Sequence, residues 1–184
     1  MARRELKKNI LILHGPNLNL LGEREPEIYG AHTLGEINDL LKKECRSLGI
    51  HPFIHQSNHE GDLIDLLHSY RKKVEAVVIN PGAYTHYSYA LRDAIASIQL
   101  ATVEVHLSDI KKREPFRKTS VIAPVCVKQI SGHGWKSYAM ALTYLADTVP
   151  ALSSIIRDDA KSPTKKSERA LGKKRKKKGF LHAR

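Results

Sequence analysis

An acidic and a basic side chain alternate in one apolar run, where Glu104 and His106 flank Val105 within Thr102–Leu107. If this run is a strand, Glu104 and His106 lie on one face and the apolar side chains lie on the other. A carboxylate beside an imidazole orients the ring and favours its protonated form, which suits a general acid. Because burying two ionisable groups in a central strand is costly, the pair favours a catalytic site over a purely structural role.

A second candidate pair, Arg24 and Tyr29, lies in the long segment 14–30 that follows the first apolar run. Long connections in compact domains are usually binding loops. A phenol has a pKa of about 10 and is a poor base at neutral pH, but a nearby guanidinium favours the phenolate and would let Tyr29 act as a general base. The alternative is that Tyr29 only packs the loop. The segment lacks the GxGxxG and GxxxxGK[ST] spacings, so it gives little support for nucleotide binding.

Polar residues also follow the other apolar runs. The stretch 56–61 either caps the next helix or contributes to a site. Asn80 and His86 flank a Pro-Gly turn, and they either point over a crevice or satisfy loop backbone groups. Arg113 and Arg117 either bind a substrate carboxylate or hydroxyls, or face solvent.

Two other kinds of site are disfavoured. Three histidines are spaced by four, namely His51, His55 and His59. The first two fall in or beside a strand, where that spacing does not bring metal ligands together. A nucleophilic triad of Ser57, His106 and Asp109 lacks the GxSxG turn that exposes a serine.

The elements that must position these residues alternate between strand and helix. The predicted strands are Asn9–His14, Pro52–Gln56, Ala76–Asn80, Thr102–Leu107 and Ser120–Ala123. The predicted helices begin at a Thr33–Glu36 capping box and lie near Asp62–Lys73, Tyr87–Gln99 and Trp135–Thr148. This alternation predicts an α/β, flavodoxin-like sandwich with helices on both faces of a parallel sheet of order 2-1-3-4-5. Ligands of such sheets bind beyond the carboxyl ends of the strands.

Composition predicts one catalytic domain over residues 1–157 and a basic tail over 158–184. The chain has 184 residues and a net charge of +12, of which +10 falls in Lys161–Arg184. Such a charge block is usually a solvated extension, and its functional alternative is weak binding to nucleic acid or an anionic surface. No apolar run is long enough to cross a bilayer. Cys45 and Cys126 lack metal-ligand spacing, so buried free thiols and a cytoplasmic location are expected.

The order of these motifs resembles the type II 3-dehydroquinate dehydratases over about three-quarters of the chain. The motifs are Gly15-Pro16-Asn17-Leu18-Asn19 through Tyr29-Gly30, Gln56-Ser57-Asn58 with Glu60-Gly61, Asn80-Pro81-Gly82 through Thr85-His86, Glu104-Val105-His106 and Arg113-Glu114-Pro115-Phe116-Arg117. The resemblance implies dehydration of 3-dehydroquinate to 3-dehydroshikimate by anti elimination through an enolate. It further implies the shikimate pathway or quinate catabolism, no metal or organic cofactor, no Schiff base, and trimers that assemble into a dodecamer.

The resemblance also implies a role for each matching residue. Tyr29 corresponds to the general base and Arg24 to the lid arginine that lowers its pKa. His106 corresponds to the general acid, and Glu104 orients it. The remaining matches are Asn17 for holding a water against the enolate oxygen, Asn80, His86 and Arg117 for substrate hydroxyls, Leu107 and Ser108 for the carboxylate through their backbone N–H groups, and Asp93 for reaching a neighbouring subunit's site.

The rival interpretation is a flavodoxin-like binding module without catalysis, for example an RNA-associated protein. It predicts that Tyr29, Arg24 and His106 are dispensable. None of these positions carries a residue that departs from the catalytic pattern. The catalytic interpretation is therefore preferred.

Overall fold

The computed structural model describes residues 8–23 and 31–150. Five strands form one parallel sheet in the order β2-β1-β3-β4-β5. The strands are β1 (Lys8–His14), β2 (Ile50–Gln56), β3 (Ala76–Asn80), β4 (Ala101–His106) and β5 (Lys128–Ser131), and the helices are α1 (Leu34–Leu48), α2 (Glu60–Tyr70), α3 (Tyr89–Ile98) and α4 (Lys136–Thr148). The predicted flavodoxin-like sheet order is confirmed. Arg24, Tyr29 and the basic tail lie outside the described residues, so the predictions for them stay predictions.

The sheet separates two apolar cores. Helices α1 and α4 pack on one face, where Ile10, Ile12 and Val105 are fully buried. Helices α2 and α3 pack on the other face, over Leu11 and Leu13. Since β1 is central and buried on both faces, it is apolar throughout its middle rather than alternating.

The fifth strand was predicted in the wrong place. Residues 120–125 form a turn and a short 3-10 helix, Ala123–Val125, and the strand is Lys128–Ser131. The apolar, β-branched character of the stretch from Val121 favoured a strand, but Pro124 cannot donate to a ladder and the Ser120 hydroxyl accepts from the N–H groups of the turn. The true edge strand has only one buried apolar residue, Ile130, so its sequence gives a weak strand signal.

Helix α1 begins as predicted. The Thr33 side chain accepts from the Glu36 backbone N–H, and the Glu36 carboxylate accepts from the Thr33 N–H, which completes a capping box. Gly49 ends the helix in the left-handed conformation, with φ 70°. The other helix bounds agree with the predicted ones to within three residues at each end, and the last helix ends at Thr148 as predicted.

The chain holds two free cysteines among the described residues, Cys45 and Cys126. Cys45 is buried as expected, whereas Cys126 is only partly buried. Burial raises the pKa of each thiol to about 12, so neither is poised as a nucleophile. No helix in the described ranges combines the length and the apolar character that crossing a membrane requires.

A buried histidine at the end of β1 should make the fold sensitive to acid. His14 is fully buried, and burial lowers its pKa from 6.5 to about 4 despite the opposing effect of its hydrogen bond to Asn38 Oδ1. Between those pH values the unfolded chain binds a proton that the folded chain excludes, so stability rises with pH in this window and is lost on acidification. The loss expected from this group is about 3 kcal/mol.

Urea unfolding at pH 7 and pH 4 tests this expectation, with His14→Gln as the comparison. The substitution keeps a donor and an acceptor but does not titrate in this range. The wild type should lose more unfolding free energy on acidification than the variant does. Equal losses in the two proteins would mean that His14 is not the acid-sensitive group.

Candidate active site

The carboxyl ends of the central strands bring the predicted residues to one edge of the sheet. Parallel pairing places His14 beside Gln56 on one side and beside Asn80 on the other. On the next strand Glu104 pairs with Ile79, so His106 extends beyond the end of β3. These strand ends therefore meet where the fold class predicts a ligand crevice.

A cleft opens at this edge, and most of the predicted residues line it. They are Asn17, Asn80, His86, His106, Leu107, Ser108 and Arg117. Glu104 is fully buried behind His106. Asp93 lies on the exposed side of α3 and does not line the cleft of its own chain.

The first and third loops form one wall by close backbone packing. The Gly15 N–H donates to the Asn80 carbonyl over 2.7 Å. A Cβ at Gly15 would lie 2.6 Å from the Pro81 carbonyl carbon, so only glycine permits this approach. Asn80 and the Asn17 loop are consequently held against each other.

The stretch after β2 supports the Asn17 loop. Asn17 has φ 65°, a left-handed conformation that asparagine tolerates better than most residues. Its backbone N–H donates to Asn58 Oδ1 over 2.9 Å, and the same oxygen accepts from Gln56 Nε2 over 3.0 Å. The Gln-Ser-Asn motif thus positions the loop, while Ser57 donates to Asp62 over 2.7 Å and accepts from the turn that leads into α2.

Glu104 and His106 form the pair that strand alternation predicted. His106 Nε2 lies 2.7 Å from Glu104 Oε1, with the histidine almost fully buried. Val103, Val105 and Leu107 belong to the apolar core on the opposite face. Because Nε2 donates to the carboxylate, a proton that His106 gives to a ligand would leave from Nδ1.

Glu104 is held ionised by donors that arrive from separate parts of the chain. Thr85 Oγ1 donates to Oε1, Ser120 Oγ lies 3.0 Å from both carboxylate oxygens, and Gln129 Nε2 donates to Oε2 over 2.9 Å. Burial, the largest single influence, raises the Glu104 pKa, but the hydrogen bond and charge of His106 together with the Thr85 and Gln129 bonds hold it below its usual value. The charged carboxylate orients the imidazole through this hydrogen bond.

No local sequence pattern predicted the contacts that Thr85, Ser120 and Gln129 make with Glu104. Gln129 lies opposite Glu104 in the β4–β5 register, a neighbour that could not be recognised while β5 was assigned to the wrong segment. Ser120 was assigned to that strand, although its hydroxyl braces the carboxylate from a turn.

The far side of the cleft carries a guanidinium and a second histidine. Arg117 Nε is buried without a hydrogen-bond partner among the described residues, although Glu114 Oε2 lies 3.3 Å away. His86 donates from Nδ1 to the Thr119 carbonyl over 2.8 Å, which leaves Nε2 as an acceptor. With apolar Leu18 completing the wall, the cleft suits a small anion that also carries hydroxyl groups.

The Gly-rich stretch before α4 has a structural role. Gly134 N–H donates to the Leu107 carbonyl over 3.0 Å and so fixes the end of β4. Trp135 packs against the apolar core, whereas His133 is exposed. Neither side chain lines the cleft.

The alternative sites are not assembled. Ser57 is bonded to Asp62, and Asp109 caps the short helix that begins at Ile110, so neither joins His106 in a triad. Within residues 8–23 and 31–150, no group of three or more histidine, cysteine or acidic side chains is arranged to hold a metal ion.

Comparison with known proteins identifies the family. The model of the dehydroquinase class II family matches residues 8–146. A 3-dehydroquinate dehydratase of Desulfitobacterium hafniense (strain Y51) is 57% identical over 140 residues, covering 76% of this chain and 96% of that protein. The enzyme of the same name from Trichodesmium erythraeum is 59% identical over 134 residues, covering 73% and 89%.

A solved structure gives the same result. The type II dehydroquinase of Butyrivibrio crossotus superposes with a TM-score of 0.74 at 46% identity, covering 76% of this chain and 97% of that one. The family match spans every described element of the sheet and the cleft at its edge. The chain therefore belongs to the dehydroquinase class II family.

Proposed function

We propose that this protein is a hydro-lyase that dehydrates 3-dehydroquinate to 3-dehydroshikimate. The observation that carries the proposal is the buried Glu104–His106 pair, whose histidine lines a cleft at the edge of a dehydroquinase-type sheet. The rival binding module explains no feature of this pair, because a ligand-holding surface has no need of a desolvated carboxylate behind an imidazole.

The reaction divides into three tasks. A proton leaves the carbon beside the ketone, the resulting enolate is stabilised, and the departing hydroxyl takes a proton and leaves as water. Tyr29, assisted by Arg24, is proposed as the base, a water held by Asn17 as the enolate partner, and His106 as the acid.

The binding groups match the substrate, which carries one carboxylate and several hydroxyls. Backbone N–H groups of Leu107 and Ser108, on the wall of the cleft, are proposed to bind the carboxylate. Arg117 and His86 are proposed to bind hydroxyls, since both line the cleft, the first with a guanidinium group and the second with an acceptor nitrogen.

A route without a Schiff base is consistent with the residues at hand. Among the described residues, those that line the cleft include no lysine. Enolate chemistry with a positioned base and acid needs neither an imine nor an organic cofactor to activate a proton beside a ketone. The proposed reaction thus depends only on side chains, backbone N–H groups and water.

The proposal extends to assembly and setting. Trimers that build a dodecamer would place the exposed Asp93 of one subunit at a neighbour's cleft, which agrees with its position away from its own cleft. The two free thiols support a reducing compartment such as the cytoplasm. The product would serve aromatic amino acid biosynthesis or quinate breakdown.

An ultraviolet assay tests the function. The protein, dialysed against a chelator, is mixed with 3-dehydroquinate while the absorbance of the conjugated enone acid is followed. Sustained formation of product supports the proposal. Absence of turnover by folded, oligomeric protein would contradict it.

Replacing Glu104 by Gln is expected to lower kcat roughly 10- to 100-fold, equivalent to the about 1.5–3 kcal/mol carried by a hydrogen bond to a charged group. The glutamine amide has the same shape as the carboxylate but carries no charge. It offers His106 and Gln129 one acceptor oxygen instead of two, and its NH₂ group faces one of these donors. Steady-state kinetics measure the effect, and exposed Asp39→Asn serves as the control for loss of a carboxylate. Wild-type kcat in Glu104→Gln would remove the orienting role.

A further inference from the structure

A chain of buried polar side chains runs behind the cleft and ends at Asn80. His14 is fully buried at the end of β1, and Tyr138 of α4 is 1% exposed. The two side chains are hydrogen-bonded, with 2.7 Å between His14 Nδ1 and the Tyr138 hydroxyl. Tyr138 also has a side-chain hydrogen bond with Asn80, which lines the cleft.

The bonds fix the direction of every donor in this chain. Asn38 Oδ1 lies 3.0 Å from His14 Nε2 and can only accept, so Nε2 carries the ring proton. His14 Nδ1 is then an acceptor, and the Tyr138 hydroxyl must donate to it. The Tyr138 oxygen is left to accept from the Asn80 amide group.

Asn80 is constrained from its other end as well. Its Oδ1 accepts from the Gly82 backbone N–H over 3.2 Å. With the oxygen held there, the NH₂ group is the end that meets Tyr138, and its second N–H is available to the cleft. Rotating the amide by half a turn would oppose Oδ1 to an oxygen whose proton is already committed to His14, and would break the Gly82 bond.

Neither His14 nor Tyr138 suits proton transfer during catalysis. Burial lowers the pKa of His14 to about 4 and raises that of Tyr138 above its usual range. Both groups therefore stay neutral near pH 7 and keep the same hydrogen-bond directions. These hydrogen-bonded side chains can therefore orient the Asn80 amide, but they do not form a proton relay.

We propose that His14 and Tyr138 are positioning residues that lock the Asn80 amide with an N–H donor towards the cleft, and so select a ligand oxygen that accepts at that point. The inference rests on the proposed function, in which this oxygen is a hydroxyl of 3-dehydroquinate. Substrate binding would then also require His14 and Tyr138, which do not touch the substrate. These two residues are 124 positions apart in the sequence.

The protein contains a second histidine–tyrosine pair, which is not connected to Asn80. His55 Nε2 and the Tyr70 hydroxyl are 2.9 Å apart, in a histidine–tyrosine contact between β2 and α2. Neither residue lines the cleft. Tyr70→Phe therefore removes the same kind of hydrogen bond without touching Asn80.

The experiment compares Tyr138→Phe, Tyr70→Phe, Asn80→Ala and the Tyr138→Phe/Asn80→Ala double variant in steady-state kinetics with 3-dehydroquinate. Tyr138→Phe should raise KM roughly 3- to 10-fold, the effect of one neutral hydrogen bond, with kcat changed far less. Tyr70→Phe should leave KM unchanged. In the Asn80→Ala background, Tyr138→Phe should have no further effect on KM, because its action passes through the amide.

Crystal structures of the wild type and Tyr138→Phe provide a readout that does not depend on activity. Loss of the hydroxyl should rotate or displace the Asn80 amide, whereas Tyr70→Phe should leave it in place. A Tyr138→Phe enzyme with wild-type KM and an unmoved Asn80 would overturn the positioning role while leaving the proposed function intact. If the wild type proved inactive and the Asn80 amide still moved in Tyr138→Phe, the proposed function would be overturned but the positioning role would be supported.

Discussion

Tyr29→Phe is expected to lower kcat by about 10²–10⁴-fold, the contribution typical of a general base. The phenolate is proposed to remove the proton beside the ketone, and phenylalanine keeps the ring but has no oxygen to accept that proton. Product binding should change little, because the aromatic ring remains. The measurement is steady-state turnover of 3-dehydroquinate, together with calorimetric titration of product into each protein.

The described residues on either side of segment 24–30 support this expectation. A Cβ at Gly22 would lie 2.8 Å from Thr33 Cγ2, so Gly22 and Thr33, which flank segment 24–30, are in contact. Leu21, just before it, lines the cleft. The described residues that flank segment 24–30 therefore lie close to one another and beside the cleft. Tyr144→Phe, on α4 against Lys128, is the matched control, and near-normal kcat in Tyr29→Phe would remove the base assignment.

His106→Ala is expected to lower kcat by a similar 10²–10⁴-fold while leaving the first step in place. Without the imidazole, the hydroxyl of the enolate intermediate has no acid to protonate it, so the enolate returns to substrate. The proposed base Tyr29 and the proposed water site at Asn17 are unchanged in this variant, so proton removal should continue. In D₂O the variant should therefore incorporate deuterium beside the ketone faster than it forms product.

Mass spectrometry of recovered substrate measures this exchange. The exposed His133→Ala provides a control for loss of a histidine outside the cleft. Loss of both exchange and turnover would show that His106 does more than donate a proton. Turnover at the wild-type rate would show that another group is the acid.

The fold was predictable where burial determines the local pattern of apolar residues. Strands β1 and β3 are apolar runs buried on both faces, and their apolar character indicates central parallel strands. Edge strand β5 is Lys-Gln-Ile-Ser, in which only Ile130 is fully buried. Since an edge strand can be polar without cost, its position is fixed by pairing with β4 and not by its own composition.

The site was predictable where its partners are close in sequence. Glu104 and His106 are two residues apart, so strand periodicity alone places them together, and the structure confirms it. The donors that hold Glu104 come from elsewhere in the chain, as Ser120 and Gln129 do. The His14–Tyr138 contact also depends on how α4 packs against the sheet. Such tertiary pairings have no local period to indicate them.

The most direct test of the mechanism uses 3-dehydroquinate carrying one deuterium at the carbon beside the ketone, on a chosen face. Anti elimination is proposed, with the base and the acid on opposite sides of the substrate, so the hydrogen trans to the departing hydroxyl should be lost. Mass analysis of the product would then show deuterium lost from one stereoisomer and retained in the other. Loss of the cis hydrogen, random loss, or no product at all would contradict the account.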